Sequence, residues 1–531
     1  MSLGERIWQV GTASLLLMLL LSLRLVYWQL IRGDELRPPI YNTLGSAEPS
    51  PERLLKQFDP DSLEQLGEMS QPARQRTLEI LGNISRGAIY DRNGRALAYD
   101  VPAGDDVIRF YTEPSLATVV GYVSALNVGV TGIERALNGS LMGLDRLDTQ
   151  ISQLTNQPIT GSDVYLTIDS HVQRTAAAAL GGRAGAVIAL DANDGAILAL
   201  ASAPSFDPNQ ILDEGYAAAL LACTDPSCEG ALLNRATQGL YTPGSTWKTV
   251  TLAAALDSGQ VTPQTVFDFG EPRQGPNGIY YVYEVGGFEI VDPNHSERQL
   301  DLVRSYAVSA NAAFARMGDE MGAETFVDYA TRFGFGRDEP PPVEITASRA
   351  QLARTPGALE DDVLRASTAF GQGELQVSPL NMGLVVATIV NDGDMPRPHL
   401  LLHLETPGGR IYNQSRRDVW VNDVIRPDTA DQAEQMMVVA VEGGSGWRAA
   451  LSGLAVGGKT GTAQLGGDQE PHAWFIGFAG DGTRTVAIAV LVEHGGSGSR
   501  TAAPIFAEVA NTALRQLGEP VEETVTPPSS P

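Results

Sequence analysis

Lysine is almost missing from this 531-residue chain. It occurs only at Lys56, Lys248 and Lys459, and the other 34 of the 37 basic residues are arginine. Arginine is effectively always protonated, whereas a buried lysine can lose its proton and act as a base. The scarcity therefore marks the few places where lysine chemistry is available. Cysteine is equally thin, with Cys223 and Cys228 in C-T-D-P-S-C. Four intervening residues do not make a zinc half-site, and no second ligand pair follows. The six histidines form no H-E-x-x-H pattern, so no metal centre and no cofactor are expected. A small loop disulfide in an oxidising compartment and a pair of structural thiols both fit the cysteine spacing. Positive charge is short as well. A formal net charge of −26 excludes nucleic-acid binding as the main task, because phosphate binding needs a basic face.

Long apolar runs are rare, and one stands out. From Ile7 to Leu30 the only charged residue is Arg24, with Trp8 at one end and Tyr27 and Trp28 at the other. Length and aromatic flanks predict a single spanning helix over 7–30, an uncleaved anchor following a cytoplasmic tip at 1–6. Arg6 lies before the span and Arg32 and Arg37 after it, so charge alone does not orient it. Residues 31–160 read as a polar linker with a short helix, followed by a small pedestal domain. Within the pedestal, Arg92-Asn93-Gly94 in R-G-A-I-Y-D-R-N-G-R is a hairpin turn. The stretch Gly121–Gly143 adds a compact piece containing T-G-I-E-R. A larger domain over 161–517 opens with a strand at Val164–Ile168 and a hairpin around Asn193-Asp194-Gly195. It closes with strands at Ala473–Gly480 and Thr485–Glu493 around a helix-rich middle. The fold class is α+β: an antiparallel sheet with helices packed on it and a helical subdomain. The tail, 518–531, is Pro- and Glu-rich and reads as disordered.

Three short patterns carry chemistry. T-P-G-S-T-W-K (Thr242–Lys248) opens an apolar stretch read as one helix to Gly259, with Ser245 in its first turn and Lys248 three residues on, on the same face. A serine hydroxyl needs a base, and a desolvated lysine can be one. An accidental S-x-x-K is common, but this is the only one in the chain. Ser309-Ala310-Asn311 lies in an Ala-rich segment; alone, it reads as a helix with two polar residues facing water. Gly457–Gln464 (G-G-K-T-G-T-A-Q) completes a literal P-loop pattern from Gly453. Leu454, Ala455 and Val456 fill the supposed loop and Gly461 follows at once, so the segment reads instead as a strand. On it, Lys459, Thr460 and Thr462 offer a cation and two hydroxyls to a carboxylate.

S-x-x-K, S-x-N and K-T-G, in that order and about 60 and 150 residues apart, resemble the serine acyl-enzymes of the penicillin-binding protein and β-lactamase group. The flanks R-G-A-I-Y-D-R-N-G, T-G-I-E-R, N-R-A (Asn234–Ala236), G-Q-G-E-L-Q-V-S-P-L-N-M (Gly371–Met382) and A-W-F-I-G-F resemble class B penicillin-binding proteins. The resemblance implies a peptidoglycan D,D-transpeptidase of the plasma membrane with its catalytic domain outside, acting on D-Ala-D-Ala stem peptides and acylated by β-lactams. It implies that Ser245 is the nucleophile, Lys248 its base, Ser309 and Lys459 proton relays, and Asn311 an orienting amide. Thr460, Gly461 and Thr462 would bind substrate. No segment resembles a glycosyltransferase, so a membrane partner would polymerise the glycan. A β-lactam sensor, an idle scaffold, a D,D-carboxypeptidase and a β-lactamase are the competing readings.

Overall fold

The structure, a computed structural model, describes residues 84–103, 106–124, 128–146, 159–276, 278–466 and 469–518. The anchor expected over 7–30, the linker before residue 84 and the tail beyond 518 lie outside the described residues. Among those described, no helix is long and apolar enough to cross a membrane.

Strands β1 (Ile89–Tyr90) and β2 (Ala96–Ala103) are joined by the expected hairpin. Asp91 builds its turn: Oδ1 accepts the N–H groups of Asn93 (2.9 Å) and Arg95 (2.8 Å), and Gly94 takes φ 78°. β3 (Asp106–Tyr111) pairs with β2, and β4 (Asp163–Leu166) runs parallel to β1. Helix α1 (Ser170–Leu180) is capped by the Asp169 side chain and stopped by Gly181 in the left-handed region. The other Asp91 oxygen accepts the Ser170 hydroxyl at 2.6 Å, so the first hairpin is tied to the start of α1.

Along the rest of the chain come β5 (Gly185–Asp191), β6 (Ile197–Ala203), α2 (Lys248–Asp257), β7 (Gly278–Val285) and β8 (Phe288–Asp292). They are followed by α3 (Leu302–Val308), α4 (Asn311–Met321), α5 (Asp362–Ala369), α6 (Pro379–Ile389), β9 (Leu401–Glu405) and β10 (Ile411–Tyr412). The last elements are α7 (Pro427–Glu442), β11 (Ala455–Ala463), β12 (His472–Gly480), β13 (Thr485–Val492) and α8 (Gly498–Gly518).

Five strands form an antiparallel sheet in the order β11-β12-β13-β5-β6. Both its faces are covered. On β5, Val187 and Ala189 join Val172 and Ala176 of α1 and Phe506 and Val509 of α8 in one cluster. Ala186, Ile188 and Leu190 point the other way and join Leu380, Leu384 and Val385 of α6. Period-two alternation thus feeds two cores from one strand. Every residue of α6 and of α2 is buried, including the polar Lys248, Thr249, Thr251 and Asp257 of α2. The second sheet, in the order β10-β9-β4-β1-β2-β3, draws strands from before and after residue 160.

The helix-rich middle also carries strands. Arg273–Gly275, β7 and β8 form a three-stranded antiparallel sheet. Gly286 and Gly287, both at positive φ, make the β7–β8 turn. Such a Gly-Gly pair suits a two-residue hairpin turn, and the sequence reading did not pick it out. Cys223 and Cys228 are joined by a disulfide.

The R-G-A-I-Y and T-G-I-E-R segments meet in a buried ionic cluster. Glu134, fully buried, accepts Arg86 Nε and Arg109 Nε, each at 2.7 Å. Arg86 also donates to Asn138 Oδ1, and Arg109 to Asp100 Oδ1. Burial pushes the Glu134 carboxyl up, but the two guanidiniums overcome it and hold it below its ordinary 4.5. Replacing Glu134 by alanine removes the buried carboxylate that both guanidiniums share. The expected cost is about 3–5 kcal/mol, measured by urea unfolding at neutral pH. Because the folded value is depressed, this contribution is complete above the ordinary carboxylate range. It is lost as pH falls through the folded value.

Candidate active site

Ser245 does not sit inside a long helix. Gly244–Trp247 is a separate 3₁₀ turn and α2 begins only at Lys248. The turn exists because Gly244 takes φ 55° and the Thr246 hydroxyl donates to the Pro243 carbonyl at 2.8 Å. Trp247, fully buried, packs edge-on against Phe335 and fixes the turn from below. Trp474 Nε1 of β12 donates to the Thr242 carbonyl at 3.0 Å. Neighbouring backbones press in closely. A Cβ on Gly371 would lie 1.8 Å from the Gly244 carbonyl oxygen, which accounts for the glycine opening G-Q-G-E-L-Q. The rest of that segment is structural too. Val377 exchanges two backbone hydrogen bonds with Tyr241, and Ser378 with Asn381 forms the capping box of α6. Arg235 of N-R-A and Tyr241 both donate to Glu493 Oε1, at 2.8 and 2.7 Å. This ties the approach to the nucleophile turn to the end of β13.

Lys248 is wholly buried at the start of α2. Its Nζ donates to the Ser309 carbonyl (2.7 Å), Ser309 Oγ (3.1 Å) and Asn311 Oδ1 (2.7 Å). Burial pulls this lysine down to about 7, against the opposing charge of Asp292. At neutral pH it is divided between a proton donor and a proton acceptor. Ser309 and Asn311 do not ride one solvent-facing helix, as the segment alone suggested. α3 ends at Val308, Ser309 takes φ 65°, and α4 starts at Asn311. A left-handed non-glycine residue costs about 1–3 kcal/mol. Here it turns the Ser309 carbonyl and hydroxyl onto one ammonium.

The K-T-G segment is a strand, as read, and the P-loop geometry is absent. β11 is the edge of the five-stranded sheet, so one side of its backbone is free of strand pairing. Lys459 is fully buried over the Tyr306 ring and donates to the Thr460 carbonyl at 3.3 Å. Burial, and then the charge of Lys248, hold it well below the ordinary lysine value. Gly461 is a point of contact. A Cβ there would lie 2.8 Å from the Pro243 oxygen and 2.9 Å from both Thr246 Cγ2 and Trp474 Cβ. Its lack of a side chain lets β11 press against the nucleophile turn.

These elements enclose a cleft of about 960 Å³ lined by Ser245, Ser309, Asn311, Thr460 and Thr462. Lys248 and Lys459 lie beneath its floor, and Gly461 is packed behind it. The sequence reading missed Ser445, which also lines the cleft and shares a 2.8 Å hydrogen bond with Thr460 Oγ1. It also missed Asn294, whose Nδ2 donates to the Ser309 carbonyl at 2.7 Å. Neither stands in a pattern that marks it. Among the described residues, no group of His, Cys, Asp and Glu is placed to hold a metal ion.

This arrangement has close counterparts. Residues 185–511 match the penicillin binding protein transpeptidase domain, and residues 86–165 match the penicillin binding protein A dimerisation domain. The peptidoglycan D,D-transpeptidase PbpA of Mycolicibacterium smegmatis is 34% identical over 85% of this chain and 93% of its own length. The peptidoglycan D,D-transpeptidase MrdA of Salmonella typhimurium is 28% identical over 82% of this chain and 73% of its own. The ceftriaxone acyl-enzyme of penicillin-binding protein A from M. tuberculosis superposes with a TM-score of 0.72 at 30% identity. That match covers 82% of this chain and all of the other. With a transpeptidase match over more than half its length and the three motifs gathered on one cleft, the chain belongs to the penicillin-binding protein transpeptidase family.

Proposed function

We propose that this protein is a serine-type peptidoglycan D,D-transpeptidase that cross-links stem peptides through an acyl-enzyme on Ser245. The observation that carries the reading is Lys248, a buried lysine held at about 7 three residues after a cleft-lining serine. In this scheme Lys248 takes the Ser245 proton as Oγ attacks the penultimate D-Ala carbonyl. The backbone N–H groups of Ser245 and Thr462 receive the developing oxyanion, the largest expected electrostatic contribution. Asn311 orients the peptide amide, and Thr460 and Thr462 hold the terminal carboxylate. Ser309 and Lys459 help pass the proton to the departing D-Ala amine. The amine of a neighbouring stem then attacks the acyl carbon, gives up a proton and frees Ser245. β-Lactams acylate the same serine and stay bound. The anchor read at 7–30 would place this reaction on the outer face of the plasma membrane, beside a glycosyltransferase that supplies glycan strands.

Four measurements test the scheme. Fluorescent penicillin should label the chain, mass spectrometry should find the adduct on Ser245, and Ser245→Ala should abolish it. An adduct on any other residue contradicts the assignment. Cross-linking of lipid-linked substrate by a wild-type chain, set against release of D-Ala to water, separates the transpeptidase from a carboxypeptidase. The acylation rate should rise with pH through about 7 and level off above it, since the neutral form of Lys248 is the base. Lys248→Arg, unable to give up its proton, should lose about 10²–10⁴-fold in acylation rate.

A further inference from the structure

The second motif is braced by the segment Asp292-Pro293-Asn294-His295 at the end of β8, of which Pro293 and Asn294 also line the cleft. Asp292 is fully buried. Its Oδ2 accepts the Ala312 N–H at 2.8 Å, in the first turn of α4, and its Oδ1 accepts the Asn294 N–H at 3.2 Å. Asn294 Nδ2 donates to the Ser309 carbonyl, the same oxygen that receives Lys248 Nζ. One four-residue turn therefore holds both ends of the left-handed kink that presents Ser309 and Asn311. His295 seals it from behind. Its ring stacks on Tyr281, Nδ1 pairs with the Glu297 carbonyl at 2.9 Å, and Nε2 lies 3.5 Å from Asp292 Oδ2.

The surroundings of Lys248 sharpen the role of this turn. From α4 it meets Asn311 and the Phe314 ring, and from the α3–α4 junction it meets Ser309. From β11 it faces a second cation, Lys459. The opposing negative charge comes from Asp292.

We propose that Asp292 and Asn294 are positioning residues for acylation. Asn294 fixes the Ser309 carbonyl that receives the Lys248 ammonium. The Asp292 carboxylate anchors the first turn of α4 through the Ala312 N–H, beside Asn311, and supplies the negative charge that faces Lys248. Neither residue touches the reacting atoms; both act through Lys248, Ser309 and Asn311.

The test is the pH profile of the acylation rate of the full chain with fluorescent penicillin. Asp292→Asn keeps one oxygen to accept the Ala312 N–H, and removes the charge together with the acceptor for the Asn294 N–H. Its half-maximal pH should fall by about one unit, with the high-pH plateau within about threefold of wild type. A purely structural role would lower the rate at every pH and leave the midpoint in place, and that result overturns the charge role. Asn294→Ala should lower the plateau about tenfold with the midpoint unmoved; a wild-type plateau overturns the positioning role. Asn294 is exposed, so this variant serves if Asp292→Asn does not fold. The inference rests on Lys248 as the base. A wild-type rate with no midpoint near 7 would remove that footing, whereas a wild-type midpoint that Asp292→Asn fails to move counts against the inference alone.

Discussion

The site depends on one buried ammonium. A lysine placed in a protein interior must find hydrogen-bond acceptors or lose its charge. Lys248 does part of each. Its three acceptors come from Ser309 and Asn311, and burial leaves its proton loosely held. The same requirement organises the neighbourhood. The α3–α4 segment breaks so that a carbonyl, a hydroxyl and an amide oxygen can converge, and the left-handed Ser309 is the local cost of that break. A second buried lysine nearby adds repulsion, which favours at most one charge on the pair.

Glycines and buried caps bring these groups into register. Gly461 lets β11 contact the nucleophile turn, and Gly371 lets another strand of chain contact it from the opposite side. At Gly371 backbone meets backbone, and at Gly461 the Pro243 carbonyl and the Thr246 and Trp474 side chains crowd the place of a methyl group. The nucleophile turn is thus clamped between the sheet and the segment leading into α6, and α6 is held by its own capping box. Rigidity of this kind holds Ser245 and Lys248 in place before substrate arrives, as the proposed acyl transfer requires.

Away from the cleft, the Arg86–Glu134–Arg109 cluster does for the smaller sheet what the lysine network does for the site. It fixes one arrangement of segments whose apolar residues share a core, among them Ile89, Tyr111 and Ile133. Removing one partner is costly because the others remain buried. The residues that resemble the family most closely at the N-terminal end therefore carry structural ionic contacts, whereas those on the cleft carry chemistry.

How much was legible in the sequence follows from the range of the interactions involved. Local ones could be read directly. The hairpins at Asn93-Gly94 and Asp194-Gly195, the terminal strands, and the strand rather than P-loop character of K-T-G all rest on turn chemistry and alternation within a few residues. The scarcity of lysine pointed to Lys248 and Lys459, and the order of the three motifs pointed to the family. Non-local features were decided only by the tertiary structure. The kink at Ser309 is paid back by an ammonium 61 residues away. Asn294 and Ser445 matter because of what they face, and Gly461 because of what presses on it. The pairing of Cys223 with Cys228, left open by spacing, depended on the path of the loop between them. By itself the sequence determined which groups could do acyl-transfer chemistry. Folding decided which of them share a cleft, because burial and hydrogen-bond satisfaction are properties of the surroundings rather than of the residue.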